Sequence, residues 1–109
     1  MSVEVLVLYP NPEGAKFDMD YYLSTHMPLV SEKWKSYGLK GWRVVQFGGG
    51  ADGGKPEYSV QATLVWDSRE DFQKAAGGPE AKEVMGEIPN FSKQQPILLG
   101  GKVMKTESH

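Results

Sequence analysis

Inside the chain stands one histidine, His26, with Tyr22 four residues before it; the only other histidine, His109, is the final residue. A neutral imidazole takes a proton from an acidic C–H or hydroxyl near neutral pH. A phenol one helical turn earlier reaches the same side of a helix and can donate to a developing oxyanion. The plainer alternative is a core-edge histidine bonded to a backbone carbonyl beside a tyrosine that only packs. Tyr9 and Tyr58 near strand ends would add polarity to a pocket here, and Phe17, Met27, Trp66 and Phe91 would add apolar walls. Each alone is an ordinary core residue. Together with one histidine they describe a substrate pocket for a flat, apolar or aromatic molecule.

Other chemistries are poorly supplied. With no cysteine there is no thiol nucleophile, disulfide or thiolate metal site, and His26 has no carboxylate three or four residues on to begin a zinc set, so no metal is expected. A haem needs one axial histidine and stays open as the only cofactor. No G-x-S-x-G elbow occurs. Five glycines in the seven residues 48–54 lack the G-K-[ST] ending of a phosphate cradle and read as a mobile hairpin loop. Asp18 and Asp20 serve as a helix cap and a first-turn charge.

The element that must position His26 is a helix from Asp18 to about Tyr37. Met19, Leu23, Met27, Val30 and Trp34 form its apolar stripe, with Tyr22 and His26 on one flank. Pro28 cannot donate to the carbonyl of Ser24, so the helix should bend at residues 26–28 with the proline turned to solvent. Gly38 closes it. Strands are expected at 3–9, 41–47, 58–66 and from 97 to about 104. A short helix follows the Ser68 cap as far as Gly77-Gly78, Pro79 starts another, and 105–109 should fray.

Strand, helix, strand, strand, helix, strand is the split βαβ order: a single α+β domain over residues 1–109, ferredoxin-like, βαββαβ, with a four-stranded antiparallel sheet. Helices cover one sheet face. Strand one offers Leu6 and Leu8 on one side and Val5 and Val7 on the other, and strand four is apolar on both sides, so one apolar face is left uncovered. Such a face predicts a homodimer, two sheets packed across a two-fold axis as a dimeric α/β-barrel. A net charge of −2 gives no footprint for nucleic acid or an acidic membrane. Neither a membrane-spanning run nor a signal segment is present in the sequence, so a cytoplasmic location is the default expectation.

Leu8-Tyr9-Pro10, Phe17-Asp18, Tyr21-Tyr22 and above all His26-Met27-Pro28-Leu29-Val30 resemble the signature of the EthD domain, and Trp66, Ser68, Phe72 and Phe91 fit its second half less distinctly. The resemblance implies the dimeric α/β-barrel superfamily, small-molecule handling of the polyketide-tailoring or ether-degradation kind, and His26 and Tyr22 as the catalytic pair. It does not fix a reaction. Three functions follow as expectations: a cofactor-independent lyase, isomerase or oxidoreductase-type tailoring enzyme; a non-catalytic dimeric carrier of a hydrophobic metabolite; and a haem-binding barrel.

Overall fold

The computed structural model describes residues 2–109. Four strands, β1 (Val3–Pro10), β2 (Leu39–Gln46), β3 (Tyr58–Trp66) and β4 (Ile97–Lys102), form one antiparallel sheet in the order β2-β3-β1-β4. The central strands are β1 and β3, the two with the densest alternation of branched and aromatic residues, as burial on both sides of a strand requires. Register follows that alternation: Val5 lies opposite Leu64, Val7 opposite Ala62 and Tyr9 opposite Val60. The fold is ferredoxin-like α+β, as the element order indicates.

The helices lie on the face that carries Val5, Tyr9, Val60, Ala62, Leu64 and Trp66, all buried. After the sheet's first strand come α1 (Met19–Tyr21), a π turn over Tyr22–His26, α2 (Met27–Trp34) and a 3₁₀ turn over Lys35–Tyr37. Asp18 caps the start by accepting the Tyr21 N–H at 3.1 Å. Gly38 ends the helix in the left-handed region, φ 114°, which costs an L side chain about 1–2 kcal/mol. Beyond β3, α3 (Arg69–Ala76) is capped by Ser68, and α4 (Glu80–Gly86) leads into a 3₁₀ turn at Ile88–Asn90. Side-chain bonds pin this layer together: Trp42 Nε1 donates to Ser31 Oγ at 2.7 Å, and the Tyr37 hydroxyl donates to Glu80 at 2.9 Å.

The irregularity expected near Pro28 is present, but its form corrects the helical stripe. Met27 N–H donates to the Tyr22 carbonyl, five residues back, so the turn holds one extra residue. The buried series becomes Tyr22, Met27, Val30 and Trp34, at steps of five, three and four. Leu23, expected inward, is 44% exposed, and Tyr22 and His26, expected on the flank, are 1% and 5% exposed. Smaller differences lie at element ends. β1 runs on to Pro10, β2 begins at Leu39 directly after the Gly38 turn, and β4 stops at Lys102. Residues 103–109 carry no helix or strand.

The second sheet face is open. Leu6, Leu8, Val45, Ile97 and Leu99 fall there by register, and Leu99 is 54% exposed. No helix among the described residues is long and apolar enough to cross a membrane.

Candidate active site

The π turn places Tyr22 and His26 one above the other, rings stacked at 5.3 Å and 18°. Two separate parts of the chain pack against them. From the sheet, Tyr9 meets Tyr22 edge-on at 5.8 Å. From the far end of the chain, Phe91 packs against His26 at 4.6 Å and Tyr22 at 4.8 Å. Phe17 completes the cluster, 5.0 Å from Tyr9 and 4.8 Å from Tyr22. Such tilted and edge-to-face pairs favour one arrangement of rings by about 0.5–1.5 kcal/mol each beyond their burial. A backbone clasp keeps the Phe91 segment in place: Asp18 N–H donates to the Phe91 carbonyl at 2.9 Å, and Phe17 pairs with Ser92 as an isolated antiparallel bridge.

His26 has no carboxylate three or four residues on along its own helix. The fold supplies one from 61 residues away: His26 Nδ1 lies 2.7 Å from Glu87 Oε1. The carboxylate's second oxygen accepts the Tyr21 hydroxyl at 3.1 Å, and the Asn90 amide donates to that hydroxyl at 3.3 Å. Glu87 directly follows α4, whose buried residues are Ala81 and Val84, and Ile88 comes next. An acid three residues past Val84, beside an apolar stripe, was the available signal. Burial is the larger influence on the His26 ring and lowers its pKa; Glu87 works against it. Burial pushes the Tyr9 and Tyr22 phenols well above the ordinary tyrosine range, with Tyr22 adding to the shift at Tyr9, so both remain protonated donors.

A narrow cavity of about 30 Å³ runs between helices and sheet, lined by Tyr9, Tyr22, His26 and Met27 at one end and by Met85 and Leu98 among its apolar sides. That is room for about one or two waters. Met85 and Leu98, 40% and 42% exposed, are side chains able to swing aside for a larger guest. Of the residues named as pocket walls, Tyr9 and Met27 line this cavity, while Phe17 and Phe91 stand behind it and pack the catalytic candidates. Tyr58 and Trp66 do not line it. Tyr58 sits at the start of β3 opposite Pro10, and Trp66 closes the other end of the strand, packed on Trp34 at 5.8 Å and Phe72 at 5.5 Å. The two stand at opposite ends of β3, with seven residues of extended chain between them.

No protein-family model and no curated protein matches the chain. Solved structures do. An EthD-like protein from Ralstonia eutropha superposes with a TM-score of 0.87 at 30% identity, over 98% of this chain and 96% of that one. An ethyl tert-butyl ether degradation (EthD) family protein from Bacillus halodurans gives 0.74 at 25% identity, over 95% and 100%. A hydroxynitrile lyase from Passiflora edulis gives 0.68 at 14% identity, over 98% and 97%, a likeness of fold alone. The first match spans nearly the full length of both chains, the second half included, and on that ground the chain belongs to the EthD-like family.

Proposed function

We propose that the protein is a small-molecule tailoring enzyme that works by proton transfer at His26, without a cofactor, on an oxygenated apolar or aromatic compound. One observation carries this reading: a histidine inclined to its neutral form, bonded through one nitrogen to a carboxylate, borders an apolar cavity. A base of that kind takes a proton from an activated C–H or a phenol, and such a step contributes typically 10²–10⁴-fold. Tyr22, protonated and beside it, would donate to the oxygen on which charge develops. Dehydration, decarboxylation, isomerisation and cofactor-free oxygenation all share this opening. Haem has less support than a small substrate, because a porphyrin would need a far larger opening than movement of the Met85 and Leu98 side chains supplies.

The test is a turnover screen over phenolic and polyketide-like carbonyl compounds with wild type and His26→Ala. The expected outcome is a loss of at least about 10²-fold with the fold intact by circular dichroism. Binding that persists in His26→Ala, with no turnover in either form, would instead establish a carrier.

The functional unit we propose is a homodimer joined through the open sheet face. Leu6, Leu8, Ile97 and Leu99 lie on adjacent registers there, with Ile97 and Leu99 42% and 54% exposed. A contiguous apolar strip on a sheet with no helix above it is stabilised by a second sheet. Leu99→Asp places a charge within it and is expected to shift sedimentation from dimer to monomer. A wild-type monomer at micromolar concentration would remove this part of the proposal.

A further inference from the structure

Glu87 breaks a local rule. A carboxylate at the C-terminal end of a helix meets the negative end of the helix dipole and weakens it, yet here the acid follows α4 directly and turns inward, its side chain 16% exposed. It also occupies both its oxygens: Oε1 with His26 Nδ1 at 2.7 Å, Oε2 with the Tyr21 hydroxyl at 3.1 Å. With Asn90 donating to that same hydroxyl, the carboxylate is fixed from two sides. A carboxylate only accepts, so the nitrogen facing it must carry the proton.

His26 Nε2, by contrast, finds no partner among the described residues. It is also absent from the wholly enclosed polar atoms that lack one, which are the indole nitrogens of Trp34 and Trp66. The ring borders the cavity, and Nε2 is the one of its two nitrogens that Glu87 does not occupy.

We infer that Glu87 is a positioning residue that holds neutral His26 in the Nδ1–H tautomer, so that the bare Nε2 is the atom that receives the substrate's proton. This deepens the acid–base reading of His26 and rests on it for its catalytic meaning, though not for its structural content. In the step itself the substrate C–H or O–H bond breaks, its electron pair stays on the substrate, and the proton bonds to Nε2. The imidazolium that results keeps its Nδ1–H bond to Glu87 and gains a charge partner 2.7 Å away at the moment it needs one. The opposite tautomer would have Nε2 already protonated and could not act as the base. Tautomer is therefore a property that sequence position alone would not set, because an isolated imidazole adopts either form.

Long-range ¹H–¹⁵N NMR of the full-length protein reads the tautomer directly and requires no substrate. Wild type is expected to show an unprotonated Nε2 and a protonated Nδ1 at His26; the reverse pattern overturns the inference. In Glu87→Gln the amide can turn its NH₂ toward Nδ1 while its oxygen still accepts from Tyr21, so the Nε2–H form should become the major one. The His26 titration midpoint should also fall, because the carboxylate that favours the cation has gone. The other titratable group against the ring is Tyr22, on its own helix and protonated throughout this range. An unchanged tautomer in Glu87→Gln overturns the inference, as a purely structural role would leave it unmoved. If that variant does not fold, Glu87→Ala serves, with the same loss of tautomer preference expected. These outcomes stand apart from turnover. A His26→Ala protein that remains active sinks the acid–base reading while leaving the tautomer result intact.

Discussion

The helix layer rests on two aromatic clusters, and they differ in what they leave open. Around Trp66, the rings of Trp34 and Phe72 border the same cavity but bring no acid–base group, and the indole N–H groups of Trp34 and Trp66 are buried without a partner. Around Tyr22, the rings of Tyr9, Phe17 and Phe91 pack as closely, but His26 brings a polar edge that is paired on one nitrogen and free on the other. Both clusters lie under one helix and on one sheet face. Ring content therefore does not distinguish a site from a core. The distinguishing features are the extra residue of the π turn and the carboxylate that reaches His26 from the end of α4. Where no such partner arrives, two orphaned N–H groups remain and no acid–base group is present; each orphan typically costs about 1–3 kcal/mol.

The hardest way to break this contrast is Trp66→Ala. If Trp66 is core, as its complete burial indicates, the substitution should lower the unfolding free energy by about 3–5 kcal/mol in urea titration. Any fall in activity should then be recovered in proportion to the folded fraction. Preserved stability with a raised KM would return Trp66 to the pocket and blur the two clusters into one.

A second prediction uses pH. Folding lowers the pKa of His26, chiefly by burial. The folded state therefore binds its proton less readily than the unfolded chain, whose histidine titrates near about 6.5. The stabilisation that results is fully present above that value and is lost as pH falls through the lower folded value. Thermal midpoints should drop between neutral pH and about pH 5, and His26→Gln should flatten that limb. The Trp66 cluster has no titratable member, so Trp66→Phe should leave the pH dependence as it is. A wild-type curve rising toward acid pH would show that the Glu87 attraction outweighs burial.

How much of this was legible in the sequence depends on the range of the information. Element order and the alternation in β1 and β3 are local, and they gave the fold class; Tyr58–Trp66 was located to the residue. The apolar second face was legible from Leu6 and Leu8 in the same way. The stripe of the first helix failed at Leu23 because a strict 3.6-residue period cannot register one added residue, and Pro28 signals only that some hydrogen bond is missing. Glu87 was marked only as an acid beside an apolar stripe, and its partner was unreadable for another reason. Its meeting with His26 depends on where the chain returns after β3, α3 and α4, and nothing near either residue encodes that path. That Tyr58 and Trp66 stand away from this cavity could not be read either, because a sequence gives aromatic type but not position along a strand relative to a cavity.

The gentlest test asks which of two causes makes the π turn. Pro28 withholds an N–H from the carbonyls behind it, while burial of Tyr22 and His26 requires the longer turn for its own reasons. Pro28→Ala separates them. The residue is exposed, so a restored N–H gains a hydrogen bond worth about 0.5–1.5 kcal/mol, and the freer unfolded chain takes back about 0.4–1 kcal/mol. The net change should stay within about 1 kcal/mol in either direction. Reverting to a regular helix would bring Leu23 into the core and expel Tyr22, an exchange whose burial terms largely cancel, but it would also break the ring stack and the bond to Glu87. Those two losses favour retention. A crystal structure of Pro28→Ala should still show Met27 N–H bonded to the Tyr22 carbonyl, and the His26 ¹⁵N spectrum should match wild type. A straightened helix with Leu23 inside would mean that the proline, rather than the buried aromatic pair, shapes the active-site end of the layer.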